Sequence, residues 1–440
     1  MGKDRRGKLI QLYINEKRKI LDTFPVKNVV DAANLVVSTY LNDGTVFSCG
    51  NGGSVSYAEC LDLYLSNHPF VRNDKGRPLS EDVKRLRTYN LTSSSGDLTG
   101  IANDFGFGFV FGNQLEAQRI KEGDLVVGFT SSGNTKNVLY AFEIAKKHNA
   151  KTFVITKGSG GSAKDLADLC IAIPGDSNFP GQIGKNNNCF HYEDSIMSII
   201  HMITGLLKKR IQQIYGHKED SGKAYLFDCE LVRLYLKEAK ECLDNFPVSD
   251  VSNMAKMIEE AYFNGGSLYL CGNGSNATLL GNLSCDLGIH PFVGEDKSKS
   301  KFDDVKRFRV VNLADSGSRI SGYANDYGIR EIFSQQLRNL RIGRDDLVIG
   351  FTGSGNSSNI LEAFRVAKKH QSKTVGIMRR ESGCVEELSD LCIKVSTDSE
   401  FPGQMGKNQG NFHYEDSLLS ISHIVTGILL SRIEEINSKD

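Results

Sequence analysis

The chain has no surplus of charge, because 53 Lys and Arg residues balance 53 Asp and Glu. Without a net field, its composition offers no attraction to nucleic acid or to an anionic membrane surface. No apolar run approaches the roughly 20 residues of a membrane-spanning helix, so no membrane segment is expected. The opening Met1-Gly2-Lys3-Asp4-Arg5-Arg6-Gly7-Lys8 has a basic flank without an apolar stretch behind it, and is not expected to act as a signal peptide. Ten cysteines are present, yet none are spaced Cys-x-x-Cys. Cys49, Cys170, Cys271 and Cys392 lie in strand-like apolar runs and read as reduced, buried thiols rather than a disulfide framework, the usage expected of a cytoplasmic protein.

What the chain does have is a repeat. Phe24-Pro25-Val26 recurs as Phe246-Pro247-Val248, His68-Pro69-Phe70 as His290-Pro291-Phe292, and Ala102-Asn103-Asp104 as Ala324-Asn325-Asp326, always 222 residues on. Phe179–Ser195 and Phe401–Ser417 agree at 13 of 17 positions at the same offset. A constant offset means two gapless copies of one unit, which sets the whole reading of the fold. The polar, aperiodic stretch at 213–223 marks the junction, giving domains at 1–217 and 218–440.

Within a copy, short apolar and β-branched runs alternate with helical stretches: Thr45–Cys49, Arg87–Leu91, Leu125–Phe129, Lys151–Ile155 and Leu169–Ile173. Continuous apolar strands alternating with helices predict an α/β fold with a mostly parallel five-stranded sheet in each copy, covered on both faces as a three-layer αβα sandwich. Ligands of such sheets sit at the carboxyl ends of the strands.

Two loops at such ends carry anion-binding chemistry. Asn51, Gly52, Gly53 and Ser54 follow the first strand, with Asn273, Gly274 and Ser275 as their twins. Thr130, Ser132, Asn134 and Thr135 follow the third, with Thr352, Ser354, Asn356 and Ser357. Glycines let backbone N–H groups approach an anion, and hydroxyls at a helix start complete a neutral phosphate cradle. Neither loop holds the Gly-Lys-Ser/Thr of a nucleotide P-loop or a Gly-x-Gly-x-x-Gly fingerprint, so a sugar phosphate fits better than a nucleotide. A further stretch, Phe179-Pro180-Gly181-Gln182-x-Gly184-Lys185-Asn186, recurs from Phe401. Its Gln182 and Lys185, and the twins Gln404 and Lys407, are candidates to read sugar hydroxyls or a second phosphate.

These motifs, with Asn103-Asp104-Phe105-Gly106 and a last helix carrying His201, closely resemble sugar isomerase (SIS) domains, in particular the sedoheptulose-7-phosphate isomerase (phosphoheptose isomerase) branch. The resemblance covers almost all of each copy. It implies that Thr130, Ser132 and Thr135, and Thr352, Ser354 and Ser357, hold phosphate. It also implies aldose–ketose isomerisation through an enediol, zinc in many members, and sites between subunits of a tetramer. Here that means a pseudo-dimer within the chain, pairing into a homodimer.

The candidate acid/base groups are Glu193, His201, Asp286, Glu415 and His423. Glu193 and His201 lie eight residues apart, as do Glu415 and His423, and two helical turns place each pair on one face, where it is expected to converge on a single site. A lone helical histidine is usually a core residue; the same Glu/His spacing in both copies argues for function. At the branch's His and acidic positions on the helix after the glycine loop, the first copy has Cys60 and Tyr64, and the second Asn282 and Asp286. The second copy also reads Gly274-Ser275-Asn276 where the branch has Gly-Gly-Ser. Each copy has thus lost a different part. Candidate zinc ligands are Cys60, Glu193 and His201 in one copy, and Asp286, Glu415 and His423 in the other. Two functions compete: an isomerase acting on a seven-carbon or similar sugar phosphate, and a non-catalytic sugar-phosphate binder that regulates or scaffolds a partner. A sugar-modifying role in lipopolysaccharide or capsule synthesis shares the same features.

Overall fold

The runs rich in Val, Ile, Leu and Phe do become strands, and the three central strands of each sheet are buried on both faces because helices cover each side. The computed structural model describes residues 3–72, 77–174, 176–182, 189–216, 228–294, 299–302, 305–379, 382–404 and 410–437. The first domain begins with α1 (Lys3–Asp22), α2 (Val26–Leu41), β1 (Thr45–Gly50) and α3 (Ser54–Asn67). It continues through β2 (Arg87–Asn90), α4 (Ser95–Phe105), α5 (Val110–Ala117), β3 (Leu125–Phe129) and α6 (Lys136–Lys147). It ends with β4 (Lys151–Lys157), α7 (Gly161–Leu166), β5 (Leu169–Ile173) and α8 (Cys189–Ile214).

The second domain repeats this order. It runs α9 (Asp228–Asp244), α10 (Val248–Phe263), β6 (Ser267–Gly272), α11 (Ser275–Ile289), β7 (Arg309–Asn312) and α12 (Gly317–Tyr327). Then come α13 (Ser334–Leu340), β8 (Leu347–Phe351), α14 (Ser358–Lys369), β9 (Lys373–Met378), α15 (Cys384–Leu388), β10 (Leu391–Lys394) and α16 (Asn411–Asn437). Residues 217–227, which include the expected boundary between 217 and 218, lie outside the described ones.

Each sheet is wholly parallel, in the order β2-β1-β3-β4-β5 and its twin β7-β6-β8-β9-β10. Register repeats as well: Thr45 faces Arg87 and Val46 faces Leu125, while Ser267 faces Arg309 and Leu268 faces Leu347. Strand order reverses between β1 and β3, and the crevice outside a doubly wound sheet opens at that switch point. The glycine loop follows β1 and the hydroxyl loop follows β3, so topology alone brings the two together.

α8 and α16 pack against each other, as do α3 and α11, and together they join the domains. α16 corrects the expectation of no apolar run: an 18-residue window in it has a mean hydropathy of 1.2, long and apolar enough to span a membrane. In the fold that window is 94% buried, because the helix is packed between α10 and α11 of its own domain and α8 and α1 of the other. A core helix shared by two domains is apolar all round for the same reason as a membrane span.

The repeated Phe179–Gln182 stretch serves this junction. A Cβ on Gly427 of α16 would overlap the Phe179 ring and the Pro180 carbonyl, and one on Gly205 of α8 would overlap Phe401 and Pro402. Each domain therefore inserts a Phe-Pro-Gly segment against the glycine of the other domain's last helix.

Candidate functional site

Two centres lie between the domains, and each draws residues from both. In the first, Glu193 of α8 meets His423 of α16: Glu193 Oε2 lies 3.2 Å from His423 Nε2. Asp286 of α11 stands 3.6 Å from the same nitrogen. Tyr57 of α3 donates to Glu193 Oε2 at 3.2 Å, and the Asn282 amide donates to it at 3.0 Å. Behind the imidazole, His423 Nδ1 is 2.9 Å from Asp194 and 3.1 Å from the Tyr13 hydroxyl. Lys17 pairs with Asp194 at 2.9 Å, and Phe190 stacks on the imidazole at 4.5 Å.

The second centre is the pseudo-symmetric counterpart. His201 Nε2 faces Glu415 Oε2 at 3.2 Å, and His201 Nδ1 lies 3.0 Å from both Asp416 and the Tyr235 hydroxyl. Phe412 stacks on the His201 ring at 4.3 Å. The reciprocal exchange of partners at the 222-residue offset is what an isologous two-fold contact produces.

This arrangement overturns the pairing expected within each helix. Glu193 does not share a site with His201, nor Glu415 with His423. Eight residues advance a helix by about 12 Å, too far for one small ligand, so each last helix serves both centres. The Cys60, Glu193, His201 set and the Asp286, Glu415, His423 set therefore do not assemble.

The rearrangement also sorts the lost and retained parts. The first centre joins the intact Gly52-Gly53-Ser54 loop of one domain to Asp286 of the other. The second joins Gly274-Ser275-Asn276 to Cys60 and Tyr64. A Cβ at Gly53 would stand 2.7 Å from the Asn282 amide nitrogen and 3.6 Å from the Glu193 carboxylate, so glycine there keeps Glu193 approachable. Ser275 occupies that position in the second centre and donates to Glu415 at 2.7 Å, while the Tyr64 phenol donates to the other oxygen. Cys60 Sγ is engaged with the Thr278 hydroxyl at 2.8 Å.

Charge follows geometry. Burial would lower the pKa of His423, but its bonds to Asp194 and Glu193 raise it to about 10. Burial would raise Glu193, yet the bond to His423 and its charge hold that carboxyl below the usual range. His201 is likewise raised, Asp416 outweighing burial. Burial and then the Glu415 charge push the Tyr64 phenol well above its ordinary value.

Both cradles are preorganised. Thr130 and Thr135 share a hydrogen bond of 2.7 Å, matched by 3.0 Å between Thr352 and Ser357. Ser132 accepts from the Asn134 N–H at 3.2 Å, as Ser354 does from Asn356, which leaves each hydroxyl proton for a ligand. The six amides expected to bind substrate also brace the loops. Asn51 and Asn137 bond reciprocally at 2.9 and 3.0 Å, and Asn273 and Asn359 at 3.0 and 2.8 Å. Asn134 accepts from Ser162, and Asn356 from Cys384. Gln182 bonds Ser177 and Phe179 and accepts from the Phe190 N–H at 3.0 Å, and Gln404 repeats this. Lys185 and Lys407 lie outside the described residues.

Tyr13, Tyr57, Asp194 and Asn282 were not chosen from sequence as site residues. Asp194 had a signal, since Glu-Asp-Ser recurs as Glu415-Asp416-Ser417; Tyr13 and Tyr57 are brought in by helices distant in sequence. Among the described residues, Glu193, Asp286 and His423 place three donor atoms within 4.8 Å of one another. Beside them the Asn282 side-chain oxygen is buried without a hydrogen-bond partner among the described residues. Two carboxylates, an imidazole and an orphaned amide oxygen fit a divalent cation such as zinc.

A family model for the SIS domain matches residues 113–192. Phosphoheptose isomerase of Vibrio parahaemolyticus is 30% identical over 213 residues, which cover 98% of that protein and 46% of this chain. The Helicobacter pylori (strain Shi470) phosphoheptose isomerase is 37% identical over 145 residues, 70% of its length and 33% of this chain. In fold, Escherichia coli tagatose-6-phosphate ketose/aldose isomerase matches 97% of the chain and 93% of its own, with a TM-score of 0.53 at 10% identity. The C-terminal domain of glucosamine-fructose-6-phosphate aminotransferase from Francisella tularensis matches 96% and 94%, with a TM-score of 0.55 at 10% identity.

Proposed function

Because the chain belongs to the phosphoheptose isomerase family of SIS-domain proteins, we propose that it is a sugar-phosphate isomerase with one working centre, formed by Glu193, Asp286 and His423. The observation that carries this is the convergence of both carboxylates on one imidazole nitrogen, at 3.2 and 3.6 Å, beside the unaltered glycine loop. Isomerisation moves a proton between adjacent carbons and needs acid/base groups on both sides of the reacting atoms. A carboxylate of this centre removes the C–H proton as the bonding pair forms the enediol double bond, and the carbonyl oxygen gains a proton. The neighbouring hydroxyl then gives up its proton and the second carbon takes one. No electron acceptor is required.

His423 serves the oxygens, held by Asp194 and Tyr13 at Nδ1. Thr130, Ser132 and Thr135 take the phosphate. Glu193, Asp286 and His423 are also the side chains that would hold zinc, which when bound polarises the substrate's oxygens. A seven-carbon ketose phosphate is the proposed substrate class.

The test is exchange of substrate C–H protons with solvent, followed by proton NMR in heavy water with heptose, hexose and pentose phosphates. His423→Gln is expected to lose about 10²–10⁴-fold in rate, and His201→Gln to keep most of it. If wild type exchanges no proton in any of these sugars, the chain is a binder rather than an isomerase.

A further inference from the structure

We propose that the second centre is a sugar-phosphate site that binds without turnover, and that its occupancy is coupled to the first centre. Its anion end is complete. Thr352, Ser354 and Ser357 have the same internal bonds as their counterparts, and Asn273 with Asn359 braces the loops as Asn51 with Asn137 does. Arg379, only 8% exposed, directly follows β9, and its backbone N–H reaches the cradle at Gly353. Lys157, its twin at the end of β4, is equally buried. On the first turn of α11, Asn276 replaces Ser54, and its side-chain oxygen is buried with no hydrogen-bond partner among the described residues. This is a polar atom left for a ligand, and it is independent of the cradle.

The chemical end is closed. Both Glu415 oxygens are engaged, one by Ser275 and the other by Tyr64 and His201, whereas the bonds Glu193 makes to Tyr57, Asn282 and His423 all fall on its Oε2. Tyr64 stands where the first centre has Asp286, so the second lacks that carboxylate. A phosphate can seat there, but a C–H proton has no free base to go to.

Coupling follows from shared elements. α8 supplies Glu193 to the first centre and His201 to the second; α16 supplies His423 to the first and Glu415 to the second. The two helices are cross-linked by polar bonds, Ser198 to Asp416 and Ser420 to Asp194, each 2.6 Å. A ligand that shifts either helix at one centre therefore moves an acid or imidazole at the other, and the coupling is reciprocal.

The binding claim rests on the sugar-phosphate reading of the cradles and does not require turnover. Calorimetric titration of the full chain with sedoheptulose 7-phosphate is expected to show two sites per chain. Ser354→Leu, and separately the charge-repelling Ser354→Asp, should weaken one of them at least about tenfold and shift the affinity of the site that remains. One site per chain in wild type, or two unaltered sites in both variants, overturns the binding claim. An unshifted remaining affinity overturns the coupling. Two sites in a wild type that exchanges no substrate proton support this proposal while rejecting the isomerase reading.

Discussion

Gly53 and Ser275 occupy equivalent positions, and the difference between them is a single hydroxymethyl group. In one centre its absence leaves the Glu193 carboxylate approachable; in the other its presence caps Glu415 at 2.7 Å. Gly53→Ser is expected to convert the first centre into a likeness of the second. Proton exchange should fall at least about tenfold, the loss that follows when a reacting carboxylate is taken up by a hydrogen bond of 1.5–3 kcal/mol, while the circular dichroism spectrum is unchanged. Asp286→Asn keeps the size of the side chain and removes its charge and basicity, and exchange should drop about 10²–10⁴-fold. Equal exchange rates in Asp286→Asn and wild type would remove Asp286 from the reaction. The individual residues were legible in sequence because motif and repeat marked them. Their assortment was not: which glycine loop meets which carboxylate depends on the partner domain.

At the scale of elements, the last helix of each domain has three tasks: it packs on the helices of its own domain, packs on its twin, and serves two centres. Its glycine is the point of closest approach, with Phe179 and Pro180 against Gly427 and Phe401 and Pro402 against Gly205. Gly427→Ala adds a methyl group where there is no room, and overpacking of this kind destabilises by about 1–3 kcal/mol. A lower urea midpoint at an unchanged slope is the expected result. No change in midpoint would mean that the Phe-Pro-Gly segment is not a tight contact. The strands were predicted to within two residues at their ends, since period and composition report local burial. That Gln182 and Asn134 brace their loops was not legible, because an amide in a loop has the same appearance in sequence whichever partner it meets.

At the scale of the molecule, α4 and α12 bury none of their own residues. Their last residues and the segments that follow expose Phe105, Phe107 and Phe109 on one domain and Tyr327 and Ile329 on the other. Clustered large apolar side chains on a surface mark contact sites, and two such clusters suit the homodimer implied by the family resemblance. Light scattering is expected to give about twice the chain mass of 48.5 kDa, and Phe107→Glu to shift the protein toward monomer. A monodisperse wild-type monomer at micromolar concentration would reject the dimer.

The sequence by itself determined the repeat, the two parallel sheets, the loops at their switch points and the list of groups from which a centre could be made. These are local properties, written in periodicity, glycine placement and spacing along one chain. Only the tertiary structure decided that Glu193 meets His423 and not His201. A helix rises about 1.5 Å per residue, so residues two turns apart on α8 face different neighbours, and the neighbours come from the other domain. That crossing gathers Gly53, Glu193, Asp286 and His423 at one centre and leaves Ser275, Tyr64 and Cys60 at the other.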